Sequence, residues 1–195
     1  MYIYMLPLSS HGVAGVRPET IVPAADGGVE HTAASFDSVS SWLSKAKARE
    51  IMLLPPQQFL LTLLSKFLKA DAIDGVESDA RLRTEREELL DFVRRTPTTS
   101  ALRARDHHTS AIPWAQKIIS PGTLFIRNSD KRIVLGLDKP GPELKNTSRG
   151  GDIERVVLVR FTKAGPVDVE VRDRQEIFDA ERVAAAKDGP GATKL

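Results

Sequence analysis

A pair of prolines interrupts the most apolar stretch of the chain, which runs from residue 50 to residue 68. Proline has a fixed φ and no N–H donor, and it disfavours the α conformation in the residue before it, so Pro55 and Pro56 end any helix or strand that arrives from upstream. Proline also suits the first turn of a new helix, and we predict that Pro56 is its first residue. The short apolar run before the break, Ile51 to Leu54, has the length of one strand.

The segment after the prolines is apolar on almost every face of a helix. A helix that is apolar all round is a buried one, and about a dozen residues are too few to cross a bilayer. We therefore predict a central core helix on which most other elements pack. Its apolar residues are Phe59, Leu60, Leu61, Leu63, Leu64, Phe67 and Leu68.

Length and composition restrict the class of protein. A chain of 195 residues predicts one domain, or one domain with a long appendage. The 28 basic and 26 acidic residues nearly cancel, which argues against nucleic acid and acidic membranes as partners. The chain has no cysteine, so disulfides, zinc–thiolate sites and thiol nucleophiles are excluded. An intracellular, reducing compartment agrees with this usage.

Besides the run at 51–54, the first 113 residues contain helical patterns and two more strand candidates. Strands are predicted at 2–6 and 31–36, with a long loop at 9–30 between them. Asp37 or Ser38 caps a predicted helix whose apolar face holds Val39, Trp42, Leu43 and Ala46. Residues 71–78 are predicted to form a loop, 80–95 a helix and 97–113 an irregular segment. The predicted buried side of the helix at 80–95 is Leu82, Leu89, Leu90, Phe92 and Val93.

The pattern changes to period two after residue 114, which indicates strands. Residues 123–127 and 132–137 flank a polar turn and predict one β-hairpin. Residues 154–161 and 167–171 flank a second turn at 163–166 and predict another hairpin. Val167, Val169 and Val171 alternate with charges, so one face of that strand is expected to be wet. Residues 179–195 are predicted to begin as a helix and to end as a disordered tail.

Few residues carry a pattern that indicates chemistry. None of the four histidines has metal-ligand spacing, and His107-His108 is expected in a solvated loop. No nucleophile elbow and no phosphate-binding loop is present. Residues 148–152 could hold an anion on their amides, although a plain turn is favoured. The Arg-rich and Glu-rich part of the helix predicted at 80–95 indicates a solvated face with i,i+4 pairs.

The order of these elements carries a family resemblance. This order resembles the second half of a Nudix hydrolase. It consists of a strand at 2–6, a long loop, His31-Thr32-Ala33, a helix with Trp42, and then 50–57 leading into a helix. The chain is most similar to the fungal branch related to peroxisomal CoA-diphosphatases, in which Pro-Pro-Gln leads the last helix. The segments 138–144 and 151–156 resemble the C-terminal extension of that group.

The resemblance implies a magnesium ion that is held by glutamates of a signature helix. The motif of that helix reads, in order: Gly, five residues, Glu, seven residues, Arg-Glu, an apolar residue, any residue, Glu-Glu, any residue and Gly. Arg86-Glu87 is the Arg-Glu pair with acidic neighbours, but Glu88 stands where an apolar residue belongs. Leu90 and Asp91 stand at the Glu-Glu positions, and the segment follows Pro-Pro-Gln instead of preceding it. No catalytic and no metal-binding residue is therefore predicted in this chain.

The family places the signature helix before the strand with which this chain opens, so we expect that the natural start lies further upstream. The fold class is then α+β, a partial Nudix-like α/β/α sandwich with a C-terminal β-hairpin extension. The expected parts are 1–70 from the Nudix-like fold, 71–113 helical and irregular, 114–178 the hairpin extension and 179–195 a flexible tail.

By resemblance, Pro55, Pro56 and Gln57 form a substrate-side wall for a nucleotide or CoA derivative, with Mg2+ as the cofactor of the family. The expected function is that of a diphosphate hydrolase relative without activity, and a non-catalytic binding or scaffold domain is the alternative. No nucleic acid or membrane partner is expected. Thr193-Lys194-Leu195 resembles a peroxisomal address, so the expected location is cytoplasmic or peroxisomal.

Overall fold

The computed structural model describes residues 37–69, 76–99 and 105–187. The predicted strands at 2–6 and 31–36, the loop between them and the end of the tail lie outside these ranges. Within the described ranges, four helices and four strands follow one another as α1 (Val39–Lys47), α2 (Pro55–Leu64), α3 (Val76–Arg94), β1 (Gly122–Ile126), β2 (Ile133–Leu137), β3 (Asp152–Thr162), β4 (Gly165–Asp173) and α4 (Arg174–Lys187). Short 3-10 helices occupy His108–Ala111, Trp114–Gln116 and Pro142–Leu144.

Both predicted hairpins are present, and they join into one antiparallel sheet of order β1-β2-β3-β4. The join is the pairing of β2 with β3, in which Ile133 lies opposite Val159 and Leu135 opposite Val157. A register shift between Gly136 and Leu137 places Leu137 opposite Asp152. The α+β class predicted from the sequence is confirmed by this mixture of helices and antiparallel strands.

The two faces of the sheet carry separate apolar cores. Side chains alternate along a strand, so neighbouring residues of β2 and β3 enter opposite cores. The core under α2 consists of Phe59, Leu63, Leu135, Leu137, Val157 and Val159. The core under α4 consists of Val134, Val156, Leu158 and Ile177. The sheet is therefore the middle layer between two helices, and α2 packs on β3 and β4.

Helix α2 differs from its prediction in three respects. It begins at Pro55, one residue early, and both prolines lie in its first turn. It ends at Leu64, and residues 65–67 form a turn. Phe59 and Leu63 are buried, whereas Leu60, Leu61 and Leu64 are only partly buried. The prediction of burial on every face is wrong for the described residues, because α2 lies on one side of the sheet and buries the stripe that contacts it.

The apolar run before α2 is not a strand. Leu54 has the extended conformation of a helix N-cap, and its N–H donates to Oε1 of Gln57 at 2.8 Å instead of to a neighbouring strand. Met52 and Leu54 remain 54% and 51% exposed.

Helices α1, α3 and α4 refine the predicted boundaries. Of the two predicted caps, Asp37 and Ser38, the structure shows Ser38 at the N-cap of α1, where its Oγ accepts from the N–H of Ser41 at 3.1 Å. Helix α3 begins at Val76 instead of Ala80, and α4 begins at Arg174 instead of Asp179. On α3 the prediction that Leu90 is buried is wrong, since it is 40% exposed. In the described ranges, no helix combines the length and the hydrophobicity that crossing a membrane requires.

Candidate ligand-binding site

A groove of about 980 Å³ lies between α1 and β4. We call it the α1–β4 groove. One wall is α1 with residues 49–53 after it, and the opposite wall is residues 166–170 at the start of β4. Gln58 and Thr62 of α2 and Arg132 beside β2 complete it. Its volume lies at the upper end of the range typical of small-molecule sites, roughly 300–1,000 Å³.

The lining of the groove combines apolar side chains with charged ones. The apolar residues are Leu43, Ala46, Ile51, Met52, Leu53, Ala164, Pro166, Val167 and Val169. The Met52 side chain closely approaches the β3–β4 turn at one end of the groove. A Cβ added to Gly165 in this turn would lie 2.6 Å from Sδ of Met52. Gly165 has a φ of +115°, a conformation that a turn with glycine adopts without strain.

Ion pairs cross or border this groove. Arg49 has a φ of 64° at the end of α1, and its guanidinium donates to Asp168 at 2.8 Å. This pair is exposed, with 68% of the Arg49 side chain and 39% of the Asp168 side chain accessible. The screened pair contributes little to stability. The Arg49 side chain can therefore exchange Asp168 for an anionic ligand at small cost.

Arg132 is more tightly held. Its side chain is 15% exposed and donates to Asp130 at 2.7 Å and to Glu170 at 2.9 Å. Burial raises the pKa of Glu170, but hydrogen bonds from Arg132 and Arg172 outweigh it and leave this pKa lowered. The two ion pairs thus hold the Arg132 charge in place in one wall of the groove. Arg132 is a structural residue of the sheet.

The predicted substrate-side residues do not line this groove. Pro55 is buried at the start of α2, and the carbonyl oxygen of the Gln57 side chain is engaged by the Leu54 N–H. The groove instead uses Gln58 and Thr62 from the same helix. Sequence reasoning missed Arg49, Arg132, Asp168 and Glu170. The alternation of valines in β4 was the sequence signal that could have indicated the β4 wall of the groove. No pattern in the sequence indicated that Arg49 belongs to a site.

A second polar cluster lies where β3 begins. The Asp152 carboxylate accepts from the Glu154 N–H and from Arg155 at 2.9 Å each. Burial raises the pKa of Asp152, and Arg155 opposes that rise. The Gly151 N–H donates to the carbonyl of Asp138 at 3.1 Å, so it is not available to an anion. In the segment 148–152 the Gly151 N–H is thus used within the fold, and Asp152 is the first residue of β3.

Lys117 extends across the same region. Its Nζ donates to the carbonyl oxygens of Thr109 at 2.6 Å and Gly151 at 2.9 Å, and it lies 5.1 Å from the centre of the Trp114 ring. Burial lowers the pKa of Lys117 to about 8, against the opposing charges of Asp152 and Glu154.

The acidic side chains of α3 and the two adjacent histidines are the candidates that the sequence analysis weighed for a metal site. Glu85, a buried acid of α3, accepts from the Lys69 N–H, and its neighbours Glu87 and Glu88 are exposed. His107 shares a hydrogen bond of 2.9 Å with the Thr109 hydroxyl, and its ring lies against that of His108. Across 37–69, 76–99 and 105–187, no group of three His, Asp or Glu side chains could hold a metal ion.

Comparisons with protein-family models, with curated proteins and with solved structures found no match to this chain.

Proposed function

We propose that this chain binds a nucleoside-diphosphate-linked small molecule of the coenzyme A type in the α1–β4 groove, without hydrolysing it. The observation that carries the proposal is the groove, which has the volume for such a ligand, an apolar lining and an exposed arginine at its edge. The adenine and pantetheine parts of such a molecule need apolar surface, and its phosphates need cations.

The resemblance to Nudix hydrolases supports the ligand class. Its most specific residues in this chain are Pro55, Pro56 and Gln57, and they form the first turn of α2. Gln58, the next residue, already lines the groove. The Nudix-like character of the fold is part of this proposal, as is a cytoplasmic or peroxisomal location.

The absence of turnover is proposed from the sequence. The signature that places glutamates on the magnesium ion is not matched by Arg86-Glu87 and its neighbours. No step of diphosphate hydrolysis is therefore assigned to any residue of this chain.

Calorimetric titration of the full chain with coenzyme A and with ADP tests the binding. We expect saturable binding that Arg49→Ala weakens about tenfold, because a charge-assisted bond to phosphate contributes on the order of 1.5–3 kcal/mol and solvent screens part of it. Arg182→Ala is the matched control. Arg182 is 72% exposed and pairs with Asp179 on α4, so it has a similar environment away from the groove.

Absence of binding at millimolar ligand, or equal weakening by both substitutions, would overturn the proposed site. Turnover is tested separately by chromatography of coenzyme A incubated with the chain and Mg2+. We expect no product, and product formation that a chelator abolishes would refute the inactive assignment.

A protein-binding scaffold is the second candidate function. The observations that favour it are three exposed apolar side chains: Met52, which lines the groove, at 54%, Leu54 at 51%, and Phe161, which lies opposite Pro166 in the pairing of β3 with β4, at 53%. A partner peptide competing with coenzyme A for the chain would support this candidate, and saturable nucleotide binding that no peptide displaces would exclude it at this surface.

A further inference from the structure

Asp168 is the common partner of two exposed arginines. Its Oδ1 accepts from Arg49 at 2.8 Å, and its Oδ2 lies 3.5 Å from Nε of Arg160. Arg160 also donates to the carbonyl oxygen of Asp130 at 3.1 Å, which positions its guanidinium. In the described part of the chain neither arginine pairs with another carboxylate. Two guanidinium groups therefore share a single negative charge, and one positive charge is left over.

The backbone is unusual at both ends of the Arg49–Asp168 contact. Arg49 has a φ of 64° and Asp168 a φ of 53°, in the left-handed region that residues other than glycine rarely adopt. Asp168 lies where the register of β3 and β4 shifts, with one more residue in β4 than in β3. Such bulges re-aim side chains and are frequent beside functional sites. An exposed ion pair contributes little to the fold, so two disfavoured conformations at one such pair point to binding.

We propose that Arg49 and Arg160 form a phosphate subsite at the edge of the α1–β4 groove, where a diphosphate group displaces the Asp168 carboxylate. Asp168 is then the specificity-determining residue of the subsite. The inference rests on the proposed function for the remainder of the ligand, since Arg49 and Asp168 line that groove.

The charge of the incoming group decides whether it displaces Asp168. A free carboxylate carries the same single charge as Asp168, which is already tethered beside the arginines, so the exchange gains nothing. A diphosphate group carries at least two negative charges, neutralises both guanidinium groups and offers more oxygen acceptors to their N–H donors. The subsite therefore selects diphosphates over carboxylates.

The other charges of the groove leave this preference in place. Lys47 and Glu50 both line the groove and carry opposite charges. Glu170, a further acid of the lining, is paired with Arg132 at 2.9 Å. Arg132 also donates to the main-chain carbonyl oxygen of Asp168 at 3.2 Å. The backbone of the bulge thus keeps an anchor of its own when the carboxylate is exchanged.

The test is an NMR titration of the full chain, labelled with 15N and followed at the Nε–H signals of its arginines. The Arg49→Gln and Arg160→Gln variants assign the two signals. The probes are inorganic pyrophosphate, acetate and coenzyme A at pH 6.5 and constant ionic strength, because salt screens exposed charges. We expect pyrophosphate and coenzyme A to shift both signals in a saturable way, and acetate at the same concentration to leave them unchanged.

Asp168→Asn is the deciding variant. Asparagine keeps the shape of the side chain and tolerates a positive φ, but it removes the competing charge. Pyrophosphate should therefore bind about fivefold more tightly, whereas Arg160→Gln should weaken its binding about fivefold. Asp179→Asn is the matched control, because Asp179 is 52% exposed and pairs with Arg182 on α4. The control should leave the affinity for pyrophosphate unchanged.

The subsite is refuted if pyrophosphate shifts neither arginine signal, even where coenzyme A still binds. Affinity for pyrophosphate that Asp168→Asn leaves equal or lowers also overturns the proposal, because a purely structural ion pair gains nothing from losing its carboxylate. Saturation by acetate contradicts the selection by charge. Pyrophosphate binding with the expected response to Asp168→Asn, but without binding of coenzyme A, supports the subsite and refutes the proposed ligand. If Asp168→Asn does not fold, the response to Arg160→Gln and the comparison of pyrophosphate with acetate decide.

Discussion

Replacing Gly151 by alanine should destabilise the fold far more than the added methyl group suggests. A Cβ at this position would lie 2.0 Å from the carbonyl oxygen of Leu137 and 2.6 Å from that of Ile118. Ordinary contacts of a Cβ begin at 3.4 Å, so the nearer oxygen would have to move by roughly 1.4 Å. Both oxygens belong to the backbone, which cannot turn aside as a flexible side chain does.

The size of the effect follows from what holds these oxygens. Leu137 is the last residue of β2 and is fully buried in the core under α2. Ile118 donates its N–H to the carbonyl of Gly150 at 3.0 Å. Overpacking in a core costs about 1–3 kcal/mol, occasionally more, and a clash with two fixed oxygens belongs at the upper end. We expect Gly151→Ala to lower the free energy of unfolding by about 3 kcal/mol.

Equilibrium unfolding in urea, followed by the fluorescence of Trp114 and Trp42, measures this loss. Gly122→Ala is the matched control, because no atom lies within 4 Å of a Cβ built at this glycine at the start of β1. We expect the control to change stability by less than about 1 kcal/mol, in either direction. A Gly151→Ala protein within about 0.5 kcal/mol of the parent, or equal losses in both variants, would refute the close-approach argument.

Three further predictions concern the apolar core, the partly buried Lys117 and the ion pair of Glu170. Phe59→Ala should cost about 3–5 kcal/mol in urea unfolding and Leu54→Ala under about 1, because Phe59 is fully buried and Leu54 half exposed. The lowered pKa of Lys117 makes the unfolded chain bind more protons between pH 8 and 10.5, so stability should rise over that range, and Lys117→Met should flatten the rise. A flat profile in the parent would contradict it. The lowered pKa of Glu170 stabilises the fold above about pH 4.5 and is lost in acid, so Glu170→Gln should reduce the loss of stability below pH 4.5. An unchanged acid profile would argue against its pairing with Arg132.

The local elements of the second half were predictable because their information is local. Polar turns at 128–131 and 163–166 separate runs of alternating apolar residues, and the hairpins form at those places. Asp37 and Ser38 were the two predicted caps, because a short polar side chain before an apolar helical face satisfies an open N–H, and Ser38 is the one that accepts it. The boundaries of α3 and α4 were missed by four and five residues, since the end of a helix is decided by packing as well as by propensity.

The candidate sites were not predictable in the same way. Arg49 and Asp168 are 119 residues apart in the chain, and only the packing of α1 and its following segment beside β4 brings them together. Lys117 has no motif at all in the sequence. Burial lowers its pKa, and its Nζ donates to the carbonyl oxygens of Thr109 and Gly151, which belong to segments distant from each other.

Pro55 and Pro56 show both sides of this division. Because proline lacks an N–H and has a fixed φ, the sequence alone determined that a new helix begins there. The tertiary structure decided what that helix buries. Seven apolar residues indicated burial all round, but the sheet built by the joined hairpins contacts one stripe, and Phe59 and Leu63 enter the core. The period of an apolar pattern and the prolines or turns that interrupt it are properties of neighbouring residues. Burial depends on which distant strands pair and on the face that they present.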